Sequence, residues 1–285
     1  MTPFPERNAV KLRFLTWNIS PKNDVSSVLE RLSFSFSIDF FLLTEAKALK
    51  AMPPGLADYV FVEDLADPNP GIKLLMRKGV GVSRSIHFSE QLRFRSFVFE
   101  PTPGLAFLLF IVHLVDARNY SLMDRFVRTQ ELSRQIMDIE AAHSNHRTIV
   151  AGDFNLNPFD PAMYHKGSLN ALPCKLEVQR SYSKRPELRS GWESMPFYNP
   201  TWSLLGDLQR GPAGTYYWSN GELSWNTLDQ VLLRPAIMDS LTDLRTIDST
   251  KDGSLCTVNG IPRKSTISDH LPILFTLDIT EVEND

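Results

Sequence analysis

The sequence predicts a layered fold of the α/β or α+β class, with two sheets packed face to face and helices outside. Short apolar runs such as residues 40–43 and 105–112 suit buried strands and are too short to span a bilayer. Two other segments carry apolar residues at helical spacing: Val25, Val28, Leu29 and Leu32, then Leu122, Phe126, Leu132, Ile136 and Ile139. Strand patterns next to turn signals recur in both halves of the chain, which adds hairpins to the crossovers.

In chain order, residues 11–17 read as a strand ending at Asn18, and the helical stripe from Val25 follows, with Asp24 available to cap it. Residues 39–43 form a continuous apolar strand with Glu45 just past its end. Residues 59–62, 72–76 and 92–99 look like further strands, the last alternating Leu92, Phe94, Ser96 and Val98 against Arg93, Arg95 and Phe97. The buried strand at 105–112 delivers His113. Ser121, with Asp124 three residues on, then marks a capped helix start. Residues 147–151 are another strand, followed at once by Gly152-Asp153. Residues 166–200 lack periodicity and read as a long loop. Residues 214–218 and 228–233 read as a strand pair around a turn at Asn220-Gly221, and a last strand, 271–277, follows Ser268-Asp269-His270.

A chain of 285 residues, 42% hydrophobic and 22% charged, has ample material for a soluble globular core. With no solenoid repeat and no long linker, it reads as one domain over residues 11–279. An N-terminal extension (1–10) and an acidic tail (280–285) flank it. Residues 1–11 do not have the apolar run of a signal peptide, so the expected setting is cytoplasmic with no membrane partner. Cys174 and Cys256 fit free thiols there. A net charge of −3 excludes an overall basic field, although Lys175, Arg180, Lys184, Arg185 and Arg189 stand against only Glu177 and Glu187. Such a loop is solvated by default; gripping substrate phosphates is its functional reading.

Polar groups gather where strands end: Asn18, Glu45, His113, Asp153 with Asn155, Asp229, and Asp269 with His270. Mg²⁺ or Mn²⁺ prefers oxygen ligands, often one or two carboxylates completed by phosphate and water. Glu45 and Asp269 supply such ligands, with Asn18 a neutral neighbour. Hydrolysis of a phosphodiester also needs an oriented water and stabilised phosphoryl charge, tasks suited to Asp153, Asn155 and His270. Each has a plainer reading. Asp153 and Asp269 fit turns, and His113 fits a satisfied core histidine. Asp229, inside a strand pattern, needs a partner if buried, and His270 would answer that need. Tyr216, Tyr217, Trp218 and Trp225 fit ordinary strand packing, with base stacking as the alternative.

Six segments in order carry a resemblance: Leu15-Thr16-Trp17-Asn18-Ile19, Leu43-Thr44-Glu45, Val112-His113-Leu114, Ala151-Gly152-Asp153-Phe154-Asn155, Leu228-Asp229-Gln230-Val231-Leu232 and Ser268-Asp269-His270-Leu271-Pro272. Together they resemble the endonuclease/exonuclease/phosphatase superfamily, also called deoxyribonuclease-I-like, over nearly the whole chain. The resemblance implies a four-layer α/β sandwich of two packed mixed sheets flanked by helices. It also implies a Mg²⁺- or Mn²⁺-dependent phosphodiesterase. By that resemblance Glu45, with Asn18 and Asp269, holds the metal, and Asp153 with Asn155 activates water. His270, fixed by Asp229, contacts the phosphate, and His113 stabilises phosphoryl oxygens or assists the leaving group.

Departures narrow the substrate. Abasic-site repair members continue the first motif as W-N-x-N-G-x-R and place tyrosine at the His113 position, whereas this chain has Trp17-Asn18-Ile19-Ser20-Pro21. Inositol polyphosphate 5-phosphatases carry P-S-W-C-D-R, while here Ser224-Trp225 stands two residues too far from Asp229. Nucleic acid is the leading substrate class. A small phosphorylated metabolite or lipid head group is the alternative, and a catalytically inactive binding module the reading of a different kind.

Overall fold

The computed structural model describes residues 9–62, 71–183, 194–206 and 211–280. The chain begins with β1 (Ala9–Asn18), α1 (Ser26–Phe36), β2 (Phe40–Thr44), β3 (Tyr59–Phe61), β4 (Lys73–Arg77), β5 (Val82–Ser89), β6 (Phe94–Glu100) and β7 (Phe107–His113). It continues through α2 (Leu122–Ala142), β8 (Thr148–Asp153), α3 (Pro161–Tyr164), β9 (Ala171–Leu172), α4 (Lys175–Tyr182) and β10 (Phe197–Tyr198). The last part holds β11 (Tyr216–Tyr217), β12 (Trp225–Asn226), β13 (Asp229–Leu233), β14 (Leu241–Thr246), β15 (Ser249–Thr250), β16 (Gly253–Ser254) and β17 (Ile273–Thr280).

One sheet runs β14-β17-β1-β2-β4-β3 and the other β5-β6-β7-β8-β13-β10-β9. β1 pairs parallel with β2, and β7 with β8, while β17 and β13 join them antiparallel, so both sheets are mixed. Each of these two parallel pairs is connected through a helix, α1 in the first sheet and α2 in the second, because parallel neighbours need a crossover. The result is four layers. Phe14, Phe40, Phe99, Leu109, Val231 and Phe275 fill the space between the sheets. Trp17, Phe41 and Leu43 pack outward against Val28, Leu29 and Leu32 of α1. Phe110, Val112 and Val150 pack against Leu132 and Ile136 of α2 on the opposite side. The continuous apolar runs follow from this, since a strand covered on both faces has no solvent side on which to alternate.

Helix starts follow local chemistry. Ser121 and Asp124 form the reciprocal capping box, with Asp124 N–H on Ser121 Oγ at 3.2 Å and Ser121 N–H on Asp124 Oδ2 at 3.0 Å. Asp24 acts one residue outside α1, accepting Ser26 N–H at 2.9 Å while Val25 occupies the cap position.

Two expectations need correction. Residues 166–200 are not one long loop: β9, α4 and β10 lie within them, and a short 3₁₀ turn, Pro200–Leu204, closes them. Two-residue strands show no period, and α4 buries only Val178, so neither left a pattern to read. The segments 214–218 and 228–233 do not pair with each other. The Asn220-Gly221 turn joins β11 to β12, while the fully buried β13 is drawn into the second sheet beside β8. β6 keeps the alternation expected of it, with Phe94 and Val98 facing the helical layer and Phe97 the other sheet; both faces are covered, so Arg95 is buried too. β5 and β14 were not anticipated, because strands of mixed polarity at a sheet edge carry no apolar run.

Candidate active site

Register brings the polar strand ends to one edge of both sheets. Asn18 pairs with Thr44 across β1 and β2, so Asn18 and Glu45 leave the first sheet side by side. β17 starts at the same edge, Ile273 opposite Thr16, and Ser268-Asp269-His270 leads into it. In the second sheet His113 pairs with Asp153, and Asp153 with Asp229, forming a row across β7, β8 and β13. Residues in register on neighbouring strands point to the same face. Gly152 makes the row tight, because at φ 140° a Cβ there would sit 2.1 Å from the Val112 carbonyl oxygen.

Asp153 occupies the centre and is almost completely buried. Its Oδ1 accepts Asn155 N–H at 2.8 Å, an Asx turn, so the turn-forming reading holds. Its Oδ2 has other company: Asn18 Nδ2 donates to it at 3.0 Å, with His113 Nε2 at 3.8 Å and His270 Nε2 at 4.0 Å. His270 Nδ1 lies 2.7 Å from Asp229 Oδ2. Three bonds then hold His270 and its segment: Trp17 Nε1 donates to the His270 carbonyl at 2.9 Å, His270 N–H donates to Ser268 Oγ at 3.1 Å, and Ser268 Oγ donates to the Asn18 carbonyl at 2.7 Å. Asp229 is fully buried, its amide bonded to Thr215 Oγ1 at 3.2 Å, and its Oδ1 has no hydrogen-bond partner among the described residues.

These contacts set the charge state. Burial by itself would lower the His270 pKa, but the Asp229 and Asp153 carboxylates and the Asp229 hydrogen bond outweigh it and raise it to about 10. The ring is therefore an imidazolium at neutral pH. Burial pushes the Asp153 carboxyl up, with Asp229 adding to it, while His270, His113 and the Asn18 amide pull it back.

Glu45 is more open, 32% exposed, and its Oε1 lies 3.6 Å from His113 Nε2. Both Glu45 and Asn155 adopt left-handed backbone conformations, φ 54° and 51°. Such strain costs of order 1–3 kcal/mol and persists where the surroundings over-determine it. Asn155 spends its side-chain amide on the Leu114 carbonyl at 2.8 Å, steadying the residue after His113. Asn18 Oδ1 accepts Ser20 N–H at 3.2 Å, and Asp269 Oδ2 stands 3.8 Å from Lys264 Nζ. The donor set fits a hard divalent cation: two partly exposed carboxylates and an amide oxygen at one edge, with no thiolate among them. Among the described residues no three His, Cys, Asp or Glu side chains form a ready cage. An ion held by one or two carboxylates, phosphate and water requires none.

Sequence reasoning assigned nothing to several residues that build this edge. Ser268 and Thr215 are hydrogen-bonding props, and Trp17 holds the His270 carbonyl. The Tyr216 ring lies 4.8 Å from the His270 ring, and Arg118 Nη2 donates to Tyr216 Oη at 3.4 Å. Only their presence inside quoted motifs marked Ser268 and Trp17; nothing local marked Arg118. Of the aromatic group, Tyr217 and Trp225 pack edge-on at 5.3 Å, whereas Trp218 is 40% exposed. The basic stretch is only partly described: Lys175 and Arg180 lie on α4, Lys175 is bound to Asp239 at 3.1 Å, and Lys184, Arg185 and Arg189 fall outside the described residues.

Two mixed sheets between helical layers are the architecture of the deoxyribonuclease-I-like class. The chain belongs to the Endonuclease/Exonuclease/phosphatase family, whose sequence profile matches residues 15–270. Solved structures agree on the fold. A humanized Danio rerio (D. rerio) TDP2 carrying 14 mutations aligns with TM-score 0.60 at 16% identity, covering 95% of this chain and 100% of that one. The AP endonuclease LMAP from Leishmania major aligns with TM-score 0.59 at 16% identity, covering 97% and 90%. D. rerio TDP2 complexed with single strand DNA product aligns with TM-score 0.55 at 17% identity, covering 94% and 99%. No curated protein sequence matches this chain. Among the described residues no helix is long and apolar enough to cross a membrane.

Proposed function

We propose that this chain is a Mg²⁺- or Mn²⁺-dependent phosphodiesterase that hydrolyses nucleic acid by in-line attack of water. One observation carries the reading: the buried Asp153 carboxylate faces His113, His270 and Asn18 at the common edge, with one oxygen uncommitted to the backbone. A carboxyl whose pKa is raised by burial is suited to take a proton from water, because a general base works best near the operating pH. His270, held as an imidazolium by Asp229, offers a charged N–H to a phosphoryl oxygen. His113, between Glu45 and Asp153, is placed to steady the leaving side, and Asn155 keeps the Asp153 turn in shape. Glu45, with Asn18 and Asp269, would hold the divalent ion. When bound, that ion supplies Lewis-acid polarisation of the phosphate. We take residues 11–279 as the working domain and the setting as cytoplasmic, with Cys174 and Cys256 free. A solved structure of similar fold bears the description of a complex with a single strand DNA product, which supports nucleic acid as substrate.

The test is a Mg²⁺/Mn²⁺ screen against single- and double-stranded DNA, RNA and a generic bis-phosphodiester. Hydrolysis should stop in EDTA. Glu45→Ala should lose activity and regain part of it as Mn²⁺ is raised. Full turnover in excess chelator would sink the metal reading, and turnover of the small ester alone would move the substrate to the phosphorylated-metabolite class.

A further inference from the structure

Next to the proposed ion ligand Asp269 lies a cavity of about 240 Å³ lined by Tyr217, Trp218, Ser219, Pro262, Lys264 and Asp269. It is smaller than the 300–1,000 Å³ of sites for drug-sized ligands, so it takes one ring system. Its aromatic wall is fixed to the catalytic edge. Tyr216 bridges to His270, and Thr215 accepts the amides of Leu228 and Asp229 at 3.1 and 3.2 Å while its carbonyl accepts Leu271 N–H at 2.7 Å. Trp218 follows directly on that strand, and Arg118 reaches both the Trp218 ring and Tyr216 Oη, whose ring touches His270. Tyr217 packs on Trp225. Packing therefore uses Tyr217 and leaves the Trp218 indole 40% exposed.

Two cations attend that indole: Arg118 at 5.6 Å and Lys264 at 5.5 Å from the ring. A 40% exposed indole with two cations within reach, beside a carboxylate that would hold the ion, matches a planar base flanked by phosphates. We infer that Trp218 is a base-stacking platform for the nucleotide next to the scissile phosphate, with Arg118 and Lys264 facing the flanking phosphates. A base paired within a duplex cannot lie flat on this ring. The inference therefore names the substrate class as single-stranded or locally unpaired nucleic acid. It rests on the proposed phosphodiesterase reading and goes beyond it in substrate.

The experiment measures binding in EDTA, where turnover is not needed. The probes are a short mixed-sequence single-stranded DNA, the same strand in duplex, and the strand with an abasic position at each site in turn. Trp218→Ala should weaken single-strand binding about 5- to 150-fold, the range of base–aromatic stacking. Trp218→Phe should restore most of that affinity, and duplex binding should not change. Single-stranded DNA should quench indole emission in the wild type; Trp218→Phe should bind yet lose that component. One abasic position should reproduce the Trp218→Ala loss, and combining both should add little. Equal single-strand binding by wild type and Trp218→Ala would overturn the platform, as would equal losses for strand and duplex. If Trp218→Ala binds normally and the enzyme still cleaves with added metal, the stacking inference fails while the phosphodiesterase reading stands. Binding that follows the platform without cleavage of any ester would do the reverse.

Discussion

β13 buries an ion pair at each end, and the two pairs differ in kind. Just past its inner end, Arg234 Nε and Nη2 donate to the two oxygens of Glu140 at 2.8 and 3.1 Å, Nη1 donates to the carbonyls of Met195 and Pro196, and the guanidinium lies 3.6 Å over Phe197. Both residues are 0% exposed. At the outer end, Asp229 holds His270 at 2.7 Å, but Asp229 Oδ1 has no hydrogen-bond partner among the described residues and His270 Nε2 points to a second carboxylate, Asp153. Burying charge is costly at both ends. The closed pair meets that cost with paired hydrogen bonds and ties α2 to the sheet. The open cluster stabilises the His270 cation but leaves the carboxylate side partly unmet, in an Asp153 pKa raised by burial and an Asp229 oxygen without a partner among the described residues, the kind of perturbation that marks candidate functional sites.

The sharpest way to break this contrast is at the closed end. Arg234→Met should cost about 3–5 kcal/mol in denaturant unfolding, because it strands a buried Glu140. Turnover per folded molecule should stay at the wild-type level, and adding Glu140→Leu should recover most of the stability. A variant as stable as wild type, or one that loses kcat while folded, would erase the distinction between the two ends.

At the open end the expected cost is in rate. Asp153→Asn should lower kcat by about 10²-fold or more with KM little moved, the size of a general-base contribution. His270→Ala should be at least as severe. Near-normal turnover by Asp153→Asn would remove it from the chemistry.

Asp229→Asn should be milder than either and add little to His270→Ala if the two act as one unit, as proposed. Fully additive losses in kcat/KM would separate the pair.

The last test reads stability against pH. The folded His270 pKa, about 10, lies above the ordinary 6.5, so its stabilisation is complete below pH 6.5 and disappears as pH rises through about 10. In chelator, the stability gap between wild type and His270→Ala should therefore be widest below pH 6.5 and close towards pH 10. A gap that grew with pH would mean the ring is held neutral.

The sequence by itself determined the layered class, the strands that end in polar residues, and the two helices that cover the parallel pairs. Those features are local: an apolar run, a 3.6-residue stripe, a capping box at Ser121 and a turn at Gly152-Asp153 are each read within about a dozen residues. What only the tertiary structure decided depends on pairing between distant segments. The Asp229–His270 pair, 41 positions apart, was already expected and the structure adds its 2.7 Å geometry, whereas Asn18 meets Asp153 across 135 positions through a sheet register that no local pattern encodes. The same holds for β13, which local turn chemistry assigned to a hairpin and burial drew into the second sheet. Arg234 and Glu140, 94 positions apart, carry no local sign that they meet. For the aromatic cluster, composition left packing and stacking as alternatives. On a hairpin anchored beside His270, Tyr216 packs on the His270 ring and Tyr217 on Trp225, while Trp218, at the end of the strand, is left 40% exposed.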